Sequence, residues 1–349
     1  MKIQENSMCS VLLKRQLLSR TENEKSVYLI ELSIPDTNCK FEPGDIAFIY
    51  PQNNALFIED ILSRMSLSGN ECVLDANVPL RTALRSHLEL LIRPNILSTL
   101  PEELDFWQAL ELLHARYQST FSAQMLCDWL KPMRPRAYSI ASAQIKNPHV
   151  MELIVGLVTF KDLKGGINEG LSSGFLCKRL QINECVRTYV KTSHFKLPKD
   201  NNAPVIMVGP GTGIAPFKAF LEARKAMHAT GLNWLFFGGR YRNQDFILQD
   251  LLEGYQQEGF LTHLDLAFSR DQDHKVYVQH KMLENAQALW NWLQKGAYFY
   301  ICGDAKSMAK DVESSLCHII SSQGNLSEDQ AMDYLKTLKA EGRYQKDVY

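Results

Sequence analysis

Between Val208 and Pro216 the chain reads Val-Gly-Pro-Gly-Thr-Gly-Ile-Ala-Pro, after a short apolar run and ahead of an amphipathic segment with helical spacing. Without Cβ atoms at Gly209, Gly211 and Gly213, the backbone is free to take positive φ and to approach a ligand closely. Free N–H groups and the dipole at a helix start attract an anion. The chemistry these residues suit is the holding of a pyrophosphate. The run is not the full Gly-x-Gly-x-x-Gly fingerprint, so taken alone a plain strand-to-helix turn is an equal reading. A second constellation, Arg134-Pro-Arg136-Ala137-Tyr138-Ser139-Ile140-Ala141-Ser142, puts a guanidinium, a phenol and a hydroxyl close together. Arg136 suits a forked pairing with phosphate that lysine cannot copy. Tyr138 suits stacking on a flat ring system. By themselves these residues also fit an ordinary strand with an exposed arginine and a half-buried tyrosine.

Two domains of ordinary size fit the 349 residues, and 45% apolar residues mark a globular chain. The net charge of −1, from 38 basic and 39 acidic residues, gives no support for nucleic-acid or membrane-surface binding through bulk charge. The start, Met1-Lys2-Ile3-Gln4-Glu5-Asn6, is polar and leads into no apolar signal core. No run approaches the roughly 20 apolar residues of a membrane span. A cytoplasmic protein is expected, with neither nucleic acid nor membrane as partner. The eight cysteines, Cys9, Cys39, Cys72, Cys127, Cys177, Cys185, Cys302 and Cys317, form no Cys-x-x-Cys pair. No zinc, iron–sulfur or other metal site is indicated, and free buried thiols are expected.

From Asn201 onward strands and helices alternate, which predicts a parallel sheet covered on both faces. Strands are expected at Pro204–Val208, Asn233–Phe237, Leu261–Phe268, Ala297–Ile301 and Gln345–Tyr349. Helices are expected at Ala215–Ala229, Asp245–Gln257, Val278–Gln294 and Ala305–Ser322, closed by Gly231, Gly259, Gly296 and Gly324, with a further helix at Ser327–Glu341. The earlier part differs in kind. Ser26–Ile34, Asp45–Tyr50, Met151–Phe160 and Glu184–Val190 are short, β-branched or alternating, and bounded by turn residues, which predicts an antiparallel barrel. Within it Glu59–Leu130 reads as a helical insertion, including Pro79–Ile92 and Leu104–Tyr117. The barrel domain is expected over 8–200 and the parallel domain over 201–349, with the boundary near Lys199–Asn202.

Arg136-x-Tyr-Ser-Ile-Ala-Ser142, followed by Gly209-Pro-Gly-Thr-Gly-Ile-Ala-Pro216, resembles the ferredoxin–NADP reductase superfamily. More narrowly the chain is similar to the diflavin reductases, and among them to the sulfite reductase flavoproteins. Asn233-Trp-Leu-Phe-Phe-Gly238, Ser269-Arg-Asp-Gln272, Lys275-Val-Tyr-Val-Gln279, Cys302-Gly-Asp-Ala305, Met308-Ala-Lys-Asp-Val-Glu313 and Arg343-Tyr-Gln-Lys-Asp-Val-Tyr349 stand in the order of that group, from about Ser10 onward. The resemblance implies an FAD-binding antiparallel barrel with a helical insertion, followed by a five-stranded parallel α/β domain for NADP.

Carried over position by position, it assigns Arg136, Ala137, Tyr138 and Ser139 to FAD. Ile154, Val155 and Gly156 match the strand that lines the flavin, followed by Phe160. Gly170, Leu171, Ser172 and Ser173 match the turn that holds the FAD pyrophosphate, where Ser173 also reads as a helix N-cap. Gly211, Thr212 and Gly213 are implied to hold the NADPH pyrophosphate. Ser269, Arg270, Lys275 and Tyr277 are implied to grip its 2′-phosphate, with Val276, Val278, Gln279 and Asp311 beside them. Ser139, Cys302 and Asp347 match the residues around the nicotinamide and the flavin N5, and Tyr349 matches the aromatic ring that covers the flavin.

There are departures from the group. Phe160 stands where a tyrosine or phenylalanine is usual, Leu171 replaces a smaller residue, and Gly239-Arg240 replaces a Cys-Arg or Asn-Pro pair, so Arg240 is either a further phosphate contact or simply exposed. Diflavin proteins carry a flavodoxin-like FMN domain ahead of this module, and no flavodoxin phosphate loop precedes it here. The implied activity is transfer of hydride from NADPH to FAD and of single electrons to a protein acceptor, either a separate FMN or flavodoxin-like protein or a sulfite reductase hemoprotein. The alternatives are a general diaphorase or flavodoxin reductase, and a noncatalytic subunit that binds the cofactor for assembly.

Overall fold

Short apolar runs, buried on both faces in the three central strands and partly exposed in the two edge strands, build a parallel sheet in the C-terminal half of this computed structural model. The structure describes residues 7–20, 25–35, 39–74, 77–102, 104–161 and 166–349, so the polar start Met1–Asn6 lies outside the described residues. Strands are labelled in chain order as β1 (Met8–Leu17), β2 (Val27–Ser33), β3 (Ile46–Ile49), β4 (Arg136–Ser139), β5 (Val150–Gly156) and β6 (Cys185–Lys191), followed by β7 (Val205–Val208), β8 (Asn233–Gly239), β9 (His263–Phe268), β10 (Tyr298–Gly303) and β11 (Tyr344–Val348). The first six form one sheet in the order β4-β3-β6-β1-β2-β5, and the last five form another in the order β9-β8-β7-β10-β11. In the first, β2 runs antiparallel to β1 and β5. An antiparallel bridge between Ile140 and Leu153 joins the ends of that order, and Ala141 N–H donates to Glu152 O at 2.7 Å, so the sheet closes as a barrel. The expected pairing of an antiparallel barrel with a five-stranded parallel α/β sheet is what the chain forms.

The chain divides into two compact units. The smaller comprises Met1–Ser10, Phe48–Ala137 and Leu157–Tyr189. Its core is the helical insertion, with α1 (Ala55–Arg64), α2 (Leu80–Ser86), α3 (Phe106–Arg116) and α4 (Ala123–Trp129) packing Ile61, Leu84, Leu110 and Leu126 inward. Asp105 caps α3 in a reciprocal box with Gln108. Two sequence expectations change here. Pro79–Ile92 is not one helix, because Leu88–Ile92 is extended and pairs with Leu130–Pro132. Met151–Phe160 is not one strand, because Thr159–Lys161 leaves β5 and pairs with Ile167–Glu169. The thiols differ as well. Cys9 and Cys185 lie on β1 and β6, neighbours in the sheet, with Cα atoms 5.7 Å apart, and are joined as a disulfide. Of the remaining six, Cys72 is exposed, Cys39 and Cys317 are half-buried, and only Cys127, Cys177 and Cys302 are buried.

The larger unit comprises Val11–Ala47, Tyr138–Gly156 and Val190–Tyr349. Its parallel strands pair in register, Val205 with Asn233 and Tyr298, and Cys302 with Asp347. Winding reverses between β7 and β10, a topology that opens a crevice at the C-terminal strand ends. Around the sheet stand α5 (Ala215–Ala226), α6 (Gln249–Gln257), α7 (Val278–Glu284), α8 (Ala286–Gln294), α9 (Met308–Gly324) and α10 (Glu328–Ala340). The segment α5, expected to be amphipathic, is buried without a break from Ala215 to Arg224.

Helix ends also depart from the glycine rule. Gly259 and Gly296 do take positive φ, at 73° and 86°, but after α5 and α9 that role falls to His228 at 52° and Asn325 at 50°. The expected Val278–Gln294 helix breaks at Asn285, whose amide donates to Asp265 Oδ1 at 3.0 Å and to Lys281 O at 2.9 Å. Leu248, left-handed at φ 60°, delays the start of α6. The Asp304 carboxylate takes the N–H groups of Ser307 and Met308, which delays α9. No helix among the described residues is long and apolar enough to cross a membrane.

Candidate functional site

At the C-terminal ends of β10 and β11, three residues expected to act together do meet. Register puts Cys302 opposite Asp347, and Ser139 at the end of β4 donates from Oγ to Asp347 Oδ2 at 2.6 Å. Cys302 Sγ donates to the same oxygen at 3.8 Å. Burial, and then the charge of Asp347, push the Cys302 thiol well above its ordinary range. It is therefore a protonated thiol at neutral pH. One carboxylate oxygen thus collects a hydroxyl and a thiol.

The glycine turn lies against this group. Gly211 to Ile214 form one turn of 3-10 helix that leads into α5, with Pro216 in its first turn. A Cβ at Gly213 would stand 2.2 Å from Cys302 O, so only glycine allows the turn to touch β10 there. At Gly211, φ is 57° and no heavy atom lies within 4 Å of a built Cβ. That open face suits close approach by a ligand. Thr212 Oγ1 and the Tyr349 hydroxyl are 3.0 Å apart, and Tyr349 as a residue is 64% exposed.

A cleft of about 610 Å³ opens over the turn. Gly211, Ser269, Tyr277, Val278, Gln279 and Asp311 line it, all of them expected there from the sequence. Sequence reasoning missed Lys25, Asp304 and Ser307 on the same wall, and left open Arg240, which lines it too. Asp245 shapes this wall, because its Oδ2 accepts the N–H groups of Arg240 and Tyr241 at 2.9 Å each. Lys275 is exposed outside the lining, and Val276 packs against the core below it. Arg270 is exposed and lines a neighbouring cavity.

Beneath the turn α5 carries a charge cluster that the sequence pattern did not disclose. Lys218 donates to Ala141 O at 3.1 Å, to Glu222 Oε1 at 2.8 Å and to Glu152 Oε2. Glu222 also takes Lys146 at 2.7 Å and the Ala143 N–H at 3.3 Å. Burial alone would raise the Glu222 carboxyl, but the Lys218 charge and the bonds from both lysines hold it below its ordinary range. The residues following Ser139 are thereby fixed to the helix that follows the glycine turn.

Within the smaller unit, Gly170 precedes a single helical turn, Leu171–Gly174, that continues as wider π-helical turns over Phe175–Arg179. Ser173 is not an N-cap. It is buried inside the turn, and its Oγ accepts the Val158 N–H at 3.1 Å. Arg136 Nη1 donates to Glu89 Oε1 at 2.8 Å, so a buried carboxylate 47 positions away orients the guanidinium. Arg179 donates to Leu171 O at 2.8 Å, and its buried Nε has no partner among the described residues. Its Nη1 donates to Glu169 Oε2 at 3.4 Å, and burial, only partly offset by the Glu169 charge, lowers the pKa of this guanidinium. Leu171 is half-buried, Ser172 buried and Phe160 54% exposed. In the larger unit Tyr138 and Gly156 are half-buried, and Ile154 and Val155 are buried. Ala137 is exposed.

Comparison with known proteins gives two domain matches and a set of relatives. A family model described as an FAD binding domain matches residues 84–175, and one described as an oxidoreductase NAD-binding domain matches residues 207–314. The chain is 38% identical to the sulfite reductase (NADPH) flavoprotein alpha-component of Cronobacter sakazakii, an alignment covering 99% of this chain and 61% of that protein. It is 39% identical to the protein of the same name from Yersinia pestis, over 96% of this chain and 59% of the relative. The chain thus spans about three fifths of the length of the curated relatives it matches.

Proposed function

From its match to an FAD-binding and an oxidoreductase NAD-binding domain and its similarity to the sulfite reductase flavoproteins, we propose that this chain is a flavoprotein oxidoreductase that oxidises NADPH and delivers the electrons to a protein acceptor. The observation that carries this reading is the junction of two features. The Ser139, Cys302 and Asp347 group lies against a glycine turn whose open residue, Gly211, lines the large cleft. Bound FAD would supply the conversion between the two-electron hydride of NADPH and single electrons.

The residues of this chain do the positioning. Gly211, Thr212 and Gly213 would take the NADPH pyrophosphate, since the open face of Gly211 admits phosphate oxygens to backbone distance. Ser269, Arg270, Lys275 and Tyr277 would select the 2′-phosphate, and Val276, Val278, Gln279 and Asp311 would complete that wall. Arg136, Ala137, Tyr138 and Ser139, with Ile154, Val155, Gly156 and Phe160, are our assignment for FAD. The Gly170-Leu171-Ser172-Ser173 turn would hold the FAD pyrophosphate, and the unpartnered Arg179 Nε beside Leu171 supports an anion there. Asp347 orients the Ser139 hydroxyl and the neutral Cys302 thiol, keeping two protons at fixed places beside the reacting atoms. The ring of Tyr349, an exposed residue, would cover the flavin face and exclude water.

The acceptor is proposed as a sulfite reductase hemoprotein or a separate FMN or flavodoxin-like protein, following the name its relatives carry. The purified chain should be yellow, bleach on addition of NADPH and reduce ferricyanide. A colourless protein that takes up no FAD would sink the proposal. Stopped-flow mixing of the NADPH-reduced protein with flavodoxin, an FMN domain and the hemoprotein ranks the acceptors by rate.

A further inference from the structure

A second cavity, of about 550 Å³, adjoins the nucleotide cleft in the larger unit. Their linings share no residue, but they are neighbours along two segments. Ser269 and Arg240 line the cleft, whereas the next residues, Arg270 on one segment and Tyr241 and Arg242 on the other, line the second cavity. Arg20 enters from the connection after β1. The lining therefore carries three guanidinium groups against a single carboxylate, Asp271.

Little of that positive charge is answered within the protein. The Arg270 guanidinium has no hydrogen bond or ion pair among the described residues; only its backbone N–H is engaged, to Arg240 O at 2.8 Å. Arg20 Nη2 donates to a neutral partner, Gln249 Oε1, at 2.7 Å. Arg242 has one distant carboxylate, Glu253 at 3.4 Å, and Asp271 is occupied by the Arg242 backbone N–H at 3.0 Å. Two of the three are nevertheless held in place. The Arg242 guanidinium lies over the rings of Phe246 and Phe268, at 5.4 and 5.9 Å from their centroids. The backbone N–H of Arg20 donates to Gln244 O at 3.1 Å, and Gln249 is itself tied to Glu253 at 2.9 Å. Two held guanidinium groups and a third left unengaged, around one space with a deficit of anions, suit a tetrahedral dianion.

We propose that Arg20 and Arg242 complete, with Arg270, a receptor for a phosphate monoester, and that the group it takes is the 2′-phosphate of the nucleotide in the adjoining cleft. This rests on the NADPH reading above and extends it to two residues outside the motifs that suggested it. A phosphate monoester carries close to two charges at neutral pH, which three guanidinium groups match and which a nucleotide with a free 2′-hydroxyl does not bring. Choice between the two dinucleotides is then spread over three separate segments, those bearing Arg20, Arg242 and Arg270.

The test is calorimetric titration of the FAD-loaded protein with adenosine 2′,5′-bisphosphate and with 5′-ADP, for the unaltered chain and for Arg20→Ala, Arg242→Ala and Arg270→Ala. Each of the first two substitutions should weaken the bisphosphate by about tenfold while leaving 5′-ADP within about twofold. Unchanged bisphosphate binding in both, alongside a loss in Arg270→Ala, would overturn the proposal and leave the NADPH reading standing. Equal weakening of both ligands would overturn it as well, because the effect would not lie at the 2′ position. If the unaltered chain shows no preference for the bisphosphate over 5′-ADP, the NADPH reading itself fails, a result separate from either of the others. Circular dichroism melts within a few degrees of the unaltered chain exclude misfolding as the cause of a loss.

Discussion

Ser139 and Asp347, 208 positions apart in the chain, share a hydrogen bond of 2.6 Å. One belongs to a barrel strand and the other to an edge strand of the parallel sheet. The same Asp347 oxygen takes the Cys302 thiol, so three segments converge on a single atom.

Removing that atom should damage the reaction more than binding. Asp347→Ala is expected to slow bleaching of the flavin by NADPH by about 10²-fold, with nucleotide affinity changed less than about threefold. Ser139→Ala should cost less, and the double variant should fall short of the product of the two effects, because the residues act as one unit. Stopped-flow absorbance gives the rates and equilibrium titration the affinities. An unimpaired rate in Asp347→Ala would exclude the group from the reaction.

Two glycines in one turn should respond differently to alanine. Gly213→Ala drives a Cβ to within 2.2 Å of Cys302 O and should sharply lower the melting temperature and NADPH binding together. Gly211→Ala meets no atom but must hold φ near 57°, which costs about 1 kcal/mol, so it should fold and show its loss chiefly in NADPH affinity. Thermal melts and nucleotide titration separate the two outcomes.

Lys218→Met leaves Glu222 and Glu152 in a buried site without their shared cation. Stability should fall by about 3–5 kcal/mol, read from the urea midpoint. Partial recovery is expected when Glu152→Gln is added, since Glu222 keeps Lys146 and Glu152 is the carboxylate left without a cation.

Acid should loosen the larger unit through two carboxylates. Burial pushes Glu313 upward, but hydrogen bonds from Lys346, Tyr344 and Lys339 outweigh it and bring the group down to about 2 from an ordinary 4.5. Glu222 is displaced in the same direction. Both pKa values are lower in the folded than in the unfolded chain. Their stabilisation is therefore complete above about pH 4.5 and is lost as pH falls through the folded values. Melting temperature should decline from pH 5 toward about pH 2, and less steeply in Glu313→Gln, which removes one of the two proton uptakes.

Local pattern was enough for the five parallel strands: the three central ones are buried apolar runs, and the two edge strands, although partly exposed, are short and flanked by turn residues. It failed where a distant partner decides. Asn285 breaks a continuous helical pattern because Asp265 is there to accept its amide. The segment of α5 read as amphipathic, yet Lys218 and Glu222 are buried and find partners on the barrel segment that includes Glu152 and Lys146. Cys9 and Cys185 gave no spacing signal, since only the sheet order makes them neighbours. At the site, the glycine turn was visible in its residues, whereas Ser139, Cys302 and Asp347 were singled out by resemblance. No spacing rule connects them. Glu89, which orients Arg136, and Asp245, which shapes the cleft wall, carried no sequence signal at all.

The position of β11 has a consequence for synthesis. Ser139, Lys218 and the whole glycine turn leave the ribosome well before Asp347, and β7, β8, β9 and β10 can already pair in the emerging chain. Until β11 adds itself beside β10, the Ser139 hydroxyl and the Cys302 thiol have no common acceptor. A chain that stalls after β10 would keep four of its five parallel strands and the turn for pyrophosphate. It would lack the one carboxylate oxygen that orients the Ser139 and Cys302 protons.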